Sequence, residues 1–168
     1  QSYDDTTGLL QSATDAAGRT TGYEYDKHRR LTRITLADGS AEHYHYPEIS
    51  GGAGESTASA GTAADPANRL NADKPVRITD AKGGHKHIAY TRSGQTASYT
   101  DCSGHSTRYE YTRWGQTLAH TNALGERTRY QYNAKDQLQA VHYPDGSSEH
   151  YQYDGRGQVS QVLASKAA

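Results

Sequence analysis

The chain has 168 residues, a formal net charge of −1 from 18 basic and 19 acidic residues, and only 33% hydrophobic residues. This neutral balance, with neither half strongly basic, argues against nucleic acid as a main partner, because phosphate binding needs a concentrated positive field. No stretch approaches the ~18 apolar residues of a membrane-spanning helix, and the single cysteine, Cys102, excludes an internal disulfide. Phe and Met are absent, whereas Tyr supplies 14 residues and Gly 17. Such a chain is too poor in aliphatics for a thick core. Tyrosine takes over the packing, since each ring buries an apolar face while its hydroxyl stays wet.

In chain order, Tyr3-Asp4 reads as the tail of an earlier unit, so the chain is expected to be a piece of something longer. Glycines then recur at Gly18, Gly39, Gly83, Gly104, Gly125 and Gly146, with spacings of 21, 44, 21, 21 and 21. Five residues after each comes a strand-like triplet. These are Tyr23-Glu24-Tyr25, Tyr44-His45-Tyr46, Ile88-Ala89-Tyr90, Tyr109-Glu110-Tyr111, Tyr130-Gln131-Tyr132 and Tyr151-Gln152-Tyr153. A polar residue or proline follows each triplet, and glycine returns at Gly94, Gly115 and Gly157. The 44-residue gap leaves room for a degenerate unit, because Asp65 to Leu70 echoes Asp26 to Leu31. Residues 1–46 and 73–168 are therefore read as repeats. Residues 47–72, rich in Gly, Ala, Ser and Thr, are read as a mobile insertion or degenerate repeat.

The last full unit shows the architecture. Leu138 to Tyr143 is a strand, Pro144-Asp145-Gly146 a turn, Ser147 to Tyr153 the returning strand, and Asp154 to Gly157 the next turn. Short turns allow only antiparallel neighbours. The expectation is an all-β antiparallel meander of roughly 12 to 16 strands of ~7 residues each, curling as a single-layer sheet. The rival arrangement is a compact β-sandwich. Side-chain alternation puts Tyr23 and Tyr25 on one face and Glu24 on the other, and likewise in later repeats. The constant period would stack tyrosines into cross-strand ladders. The architectural residues are thus Tyr23, Tyr25, Tyr44, Tyr46, Tyr109, Tyr111, Tyr130, Tyr132, Tyr151 and Tyr153, with Gly18, Gly39, Gly104, Gly125 and Gly146 at turns.

Candidate chemistry is thin. His43 and His45 share a strand face, as do His85 and His87, but a metal site needs a third or fourth ligand, and a solvated face accounts for them. Asp101, Ser103 and His105 flank Cys102 at a repeat turn, where turn formation explains Asp, Ser and Gly more simply than nucleophilic catalysis. No metal, cofactor or enzymatic activity is expected. Trp114, in the turn Thr112-Arg113-Trp114-Gly115, is the best single contact for a binding surface, with packing onto a neighbouring repeat as the simpler role.

The Gly, Tyr-x-Tyr-Asp and Gly spacing resembles the YD repeats of RHS proteins, which also occur in insecticidal toxin-complex B and C components and in teneurins. The clearest matches are Gly18 to Asp26, Gly104 to Gly115, Gly125 to Asn133 and Gly146 to Gly157. The resemblance implies a strip of β-strands spiralling into a shell that encloses a toxic C-terminal domain, often delivered by a type VI secretion apparatus. The implied partners are further repeats, the enclosed toxin domain and secretion machinery, and the implied destination is outside the producing cell. No match to the family's self-cleaving core segment and no toxin domain is found. The alternative function is a carbohydrate or cell-surface binding module using exposed tyrosines.

Overall fold

A computed structural model describes residues 1–47 and 70–166. It contains fourteen strands, which follow one another in a single sheet in chain order. The strands fall into two units. Residues 1–104 carry β1 (Ser2–Tyr3), β2 (Leu10–Thr14), β3 (Thr20–Tyr25), β4 (Leu31–Thr35), β5 (Ala41–His45), β6 (Arg77–Thr79), β7 (His85–Tyr90) and β8 (Thr96–Thr100). The second unit, from His105 onward, carries β9 (Ser106–Tyr111), β10 (Thr117–Thr121), β11 (Arg127–Tyr132), β12 (Leu138–His142), β13 (Ser148–Tyr153) and β14 (Val159–Ser165). Within each unit the paired strands run antiparallel. No second sheet occurs among the described residues, so the compact sandwich is excluded.

One turn design closes most hairpins. The amide of residue i donates to the carbonyl of i+4, and the amide of i+3 donates back to the carbonyl of i. In the first unit i is Asp15, Asp26, Leu36, Asp80 or Thr91; in the second it is Thr112, Asn122, Asn133, Tyr143 or Asp154. This is a three-residue hairpin loop whose last residue must be left-handed. That residue is glycine at Gly18, Gly39, Gly125 and Gly146, with φ between 78° and 83°. Arg29 and Asp136 occupy it without glycine, at φ 64° and 61°. The side chain of residue i completes the turn. Asp26 Oδ1 accepts the amides of His28 and Arg30 at 2.8 and 3.0 Å, and Asp154 Oδ1 those of Arg156 and Gln158 at 2.9 Å each. This capping explains the aspartate or asparagine at Asp26, Asn133 and Asp154, and Thr91 and Thr112 cap the same turn through Oγ1. Leu36 and Tyr143 lack a short side-chain acceptor at this position, and Asp38 and Asp145 cap Ser40 and Ser147 instead.

The strand after the tyrosine pair opens with a β-bulge in every described repeat except at β6, which follows Tyr44 and Tyr46 without one. Glu24 pairs with Arg33 but Tyr25 with Leu31, leaving Thr32 as the extra residue. The same irregularity recurs at Ala97, Leu118, Gln139 and Ser160. A bulge frees backbone groups from the ladder. The second tyrosine of the pair takes up one of them. Tyr46 donates its hydroxyl to the Leu31 carbonyl at 2.8 Å, Tyr90 to Pro75 at 3.0 Å, Tyr132 to Thr117 at 2.9 Å and Tyr153 to Leu138 at 2.7 Å. Each bond reaches back 15 residues, to the start of a bulged strand for Tyr46, Tyr132 and Tyr153 and to the residues just before the unbulged β6 for Tyr90.

The core is thin, as the composition requires. Buried hydrophobics among the described residues are Ala119, Ala140 and Val141, at 0%, 1% and 5% exposure. The tyrosine pairs are half-buried.

Between β5 and β6 the usual turn is replaced by a long segment. Nevertheless β5 pairs directly with β6, Tyr44 opposite Ile78. Residues 48–69, where the mobile stretch and most of the degenerate-unit echo were expected, lie outside the described residues. The foot of the segment is held between two turns. Arg30 Nη1 donates to the Ala72 carbonyl, the Asn71 side-chain amide to the Thr91 carbonyl at 2.9 Å, and Lys74 Nζ to the Gly94 carbonyl.

Candidate functional site

Strand alternation gives the sheet a half-buried face and an exposed face. In β11 the exposures alternate so that Thr128, Tyr130 and Tyr132 are covered and Arg127, Arg129 and Gln131 are open. The tyrosine face is not a continuous tyrosine ladder. Each repeat has two strands and only one carries the pair, so successive pairs lie two strands apart, about 9.5 Å. That exceeds the 4.5–7 Å reach of direct ring contact. The residues opposite the first tyrosines are instead Ile34 for Tyr23, Ile78 for Tyr44, His120 for Tyr109, Val141 for Tyr130 and Val162 for Tyr151. One interleaved aromatic row survives, with His120 6.3 Å from Tyr109 and 5.9 Å from Tyr130 between ring centroids.

The two tyrosines of a pair do different work. The second, as at Tyr46, Tyr90, Tyr132 and Tyr153, bonds to backbone. The first is held by polar side chains: Tyr44 donates to Glu42 at 2.9 Å, Tyr151 to Glu149 at 2.6 Å, and Tyr130 lies 3.2 Å from His120 Nδ1. Burial, then the Glu42 bond, pushes the Tyr44 hydroxyl up to about 12, and the Glu149 bond, then burial, does the same for Tyr151. Burial also raises Tyr46, Tyr90, Tyr111 and Tyr132. These hydroxyls therefore stay protonated donors. Tyr25 lies at a bulge, opposite Leu31.

The exposed face carries the histidines and arginines. In the first unit one row runs Glu24, Arg33, His43, Thr79, His85, and the next runs His45, Arg77, His87, Thr100. Arg33 pairs with Glu24 at 3.1 Å. Arg77 Nη2 lies 3.2 and 3.3 Å from the two His45 ring nitrogens, and Thr79 Oγ1 lies 3.1 Å from His85 Nδ1. Partial burial, then Arg77, His43 and His85, lowers the His45 pKa. In the second unit Arg127 pairs with Glu110 at 2.8 Å, Arg129 stands opposite His142, and the His142 and His150 rings meet edge-on at 6.0 Å. No cluster of three or more His, Cys, Asp or Glu able to hold a metal occurs among the described residues.

Trp114 does not pack onto a neighbouring repeat. It is 64% exposed, capped by the Arg113 guanidinium 3.7 Å from its ring centroid, because the three-residue loop points its middle residue outward. Beside it lies an open groove of about 510 Å³ lined by Gln116, Leu118, Tyr132, Asn133, Asp136 and Gln139 among others. Gln116 Nε2 donates to the Asp136 carbonyl across this groove at 3.1 Å. Cys102 is exposed, and the neighbouring Ser103 and Gly104 amides bond to the Asp101 side chain and carbonyl at 2.9 and 3.1 Å. Asp101 and Gly104 thus have turn roles. No helix among the described residues is long and apolar enough to cross a membrane.

Sequence reasoning missed the bulges, the hydroxyl struts and the pooling of arginine with histidine on one face. The signal for the struts was available, since the second tyrosine is present in every triplet while the first becomes Ile88 once.

Comparison with known proteins agrees with this architecture. No curated protein matches the chain. Among solved structures, the Photorhabdus luminescens Tc holotoxin pore is similar over 98% of this chain and 9% of its own, at 17% identity and a TM-score of 0.67. The TcdB2-TccC3-Cdc42 structure is similar over 95% of this chain and 8% of its own, at 13% identity and a TM-score of 0.62. The TcdB2-TccC3 structure is similar over 96% and 10%, at 13% identity and 0.57. The chain thus spans no more than a tenth of the length of these proteins, and the likeness is one of fold. The RHS Repeat family matches residues 3–41, 111–148 and 132–166, more than half of the chain. The chain belongs to the RHS repeat family.

Proposed function

We propose that this chain is wall material: a non-catalytic run of RHS repeats contributing strands to a curling β-shell around a toxic polypeptide. The observation that carries this reading is the recurrent tyrosine strut, which at Tyr46, Tyr90, Tyr132 and Tyr153 ties a repeat to the one before it by a hydrogen bond independent of the turns. A wall one layer thick has little core to hold it. Local nearest-neighbour ties are how repeat arrays acquire rigidity. The similar solved structures are those of toxin-complex components, and this supports a toxin cargo and a destination outside the producing cell; delivery by a secretion apparatus is part of the proposal. The test is protease protection in the longer protein carrying this chain. A segment C-terminal to the repeats should resist digestion natively and be cut after denaturation. Immediate cleavage in the native protein refutes enclosure.

A second reading has its own observation. Trp114, exposed and stacked by Arg113 beside an amide-lined groove, is chemistry suited to a sugar ring. A glycan-array signal lost in Trp114→Ala supports a carbohydrate-binding module, and a blank array rejects it.

A further inference from the structure

The chain is nearly neutral, yet its charges are sorted by face. On the exposed side of β3–β7 lie Arg33, Arg77, His43, His45, His85 and His87, with Glu24 as the only carboxylate in those two rows. β8 adds Ser98 and Thr100 there, which are uncharged. Glu42 lies on the opposite face, bonded to Tyr44. Around these strands the carboxylates of Asp15, Asp26, Asp38 and Asp80 serve the turns. Arginine therefore stands opposite histidine three times in this strip: Arg33 with His43, and Arg77 with both His45 and His87.

Like charges directly opposite one another destabilise a sheet, so a face built this way lacks counter-charges of its own.

We infer that the exposed face of β3–β7 binds an extended, carboxylate-rich polypeptide segment, and binds it more tightly as the histidines protonate. Same-face residues along a strand repeat every ~6.6–6.8 Å. An extended chain bearing Glu or Asp at alternate positions presents its carboxylates at that same pitch, matching His43 with His45 and His85 with His87. The permanent charges of the strip are two arginines against one glutamate. That is too weak a field for a polyphosphate, whose binding rests on many neutralised charges, but enough to orient individual carboxylates. Protonated imidazoles add positive charge to this face, although burial and the Arg77 guanidinium disfavour that form at His45. The strip stands whether or not the sheet encloses anything, so its failure and the failure of the wall reading are separable.

The experiment is fluorescence anisotropy of the chain with a labelled alternating Glu-Ser peptide at about pH 5.5 and about pH 7.5. Expected is binding about tenfold tighter at the lower pH, weakened by salt. Replacing all four histidines (His43→Gln, His45→Gln, His85→Gln, His87→Gln) should abolish the pH dependence, while His28→Gln in an exposed turn leaves it intact. Arg77→Gln should weaken binding at both pH values, and this single change keeps the test decisive if the quadruple variant fails to fold. Equal affinity at both pH values, indifference to Arg77→Gln, or tighter binding of oligothymidine than of the acidic peptide overturns the inference.

Discussion

The second unit, β9–β14, and the first, β1–β8, are written in the same repeat, but they differ at one connection. Between β11 and β12 the chain turns at Asn133 to Gln137. At the corresponding place between β5 and β6 the glycine spacing stretches from 21 to 44 residues. The register survives the stretch. Tyr44 meets Ile78 as Tyr130 meets Val141, and the Tyr90 hydroxyl finds Pro75 as Tyr132 finds Thr117. Turns usually fix register in a hairpin. Here the face pattern and the strut suffice without the turn, and a longer loop adds only a slowly growing closure entropy. The sheet is thus specified strand by strand, and turns can be exchanged for insertions at modest cost.

The sharpest way to break this comparison is to remove the strut in each region. Tyr132→Ala should destabilise by about 2–3 kcal/mol, below the full-core aromatic value because the ring is half-buried. Tyr90→Ala should match it despite the insertion, by chemical denaturation. A much smaller loss at Tyr90 would make the turn, and not the strut, the determinant of register. Glycines separate the regions next. Gly94→Ala should cost about 2 kcal/mol or more, because its φ is +83° and an added Cβ would come within 2.8 Å of Lys74 Nζ and 2.9 Å of Asn71 Oδ1. Gly125→Ala, with open space around it, should cost only the left-handed strain of ~1–2 kcal/mol. Equal losses would mean that the insertion's foot is not seated on that turn. Tyr132→Phe should lose about 1 kcal/mol, the net worth of one hydrogen bond.

A pH-dependent difference is smaller and local. His45 has a lowered folded pKa, so the unfolded chain takes up its proton first. Stability of the β5–β6 ladder is therefore complete above the model-peptide value of 6.5 and falls as pH drops below it. Hydrogen exchange should quicken there first. Below about 3.8 the hydrogen-bonded turn carboxylates of Asp15, Asp80 and Asp145, all lowered, lose their contribution in both units. The smallest effect is Asp136→Gly, which should stabilise by about 0.5 kcal/mol by relieving a left-handed aspartate.

Most of this fold was legible in the sequence because the period is explicit. Gly39, Gly104, Gly125 and Gly146 marked the turns, and alternation at Tyr23-Glu24-Tyr25 marked the faces. Strand count followed from two strands per repeat. The ladder expectation failed because a 21-residue period stacks tyrosines only on alternate strands, and the sequence does not state which residues intervene. The bulges were illegible for a related reason. One extra residue at Leu118 or Gln139 leaves no compositional mark, yet it shifts the pairing and creates the carbonyl that Tyr132 or Tyr153 must reach. Trp114 was placed in the correct turn, but its exposure depends on the loop's outward middle position, which only the backbone reveals.

The central claim, that struts make a single-layer sheet rigid enough to enclose a polypeptide, is tested most directly in the longer protein carrying this chain. Its native digestion should be compared with that of a variant bearing Tyr46→Phe, Tyr90→Phe, Tyr132→Phe and Tyr153→Phe. The account predicts that the segment C-terminal to the repeats survives in the unmodified protein and is cut faster in the variant. Equal cleavage rates, or immediate cleavage in both, would contradict it.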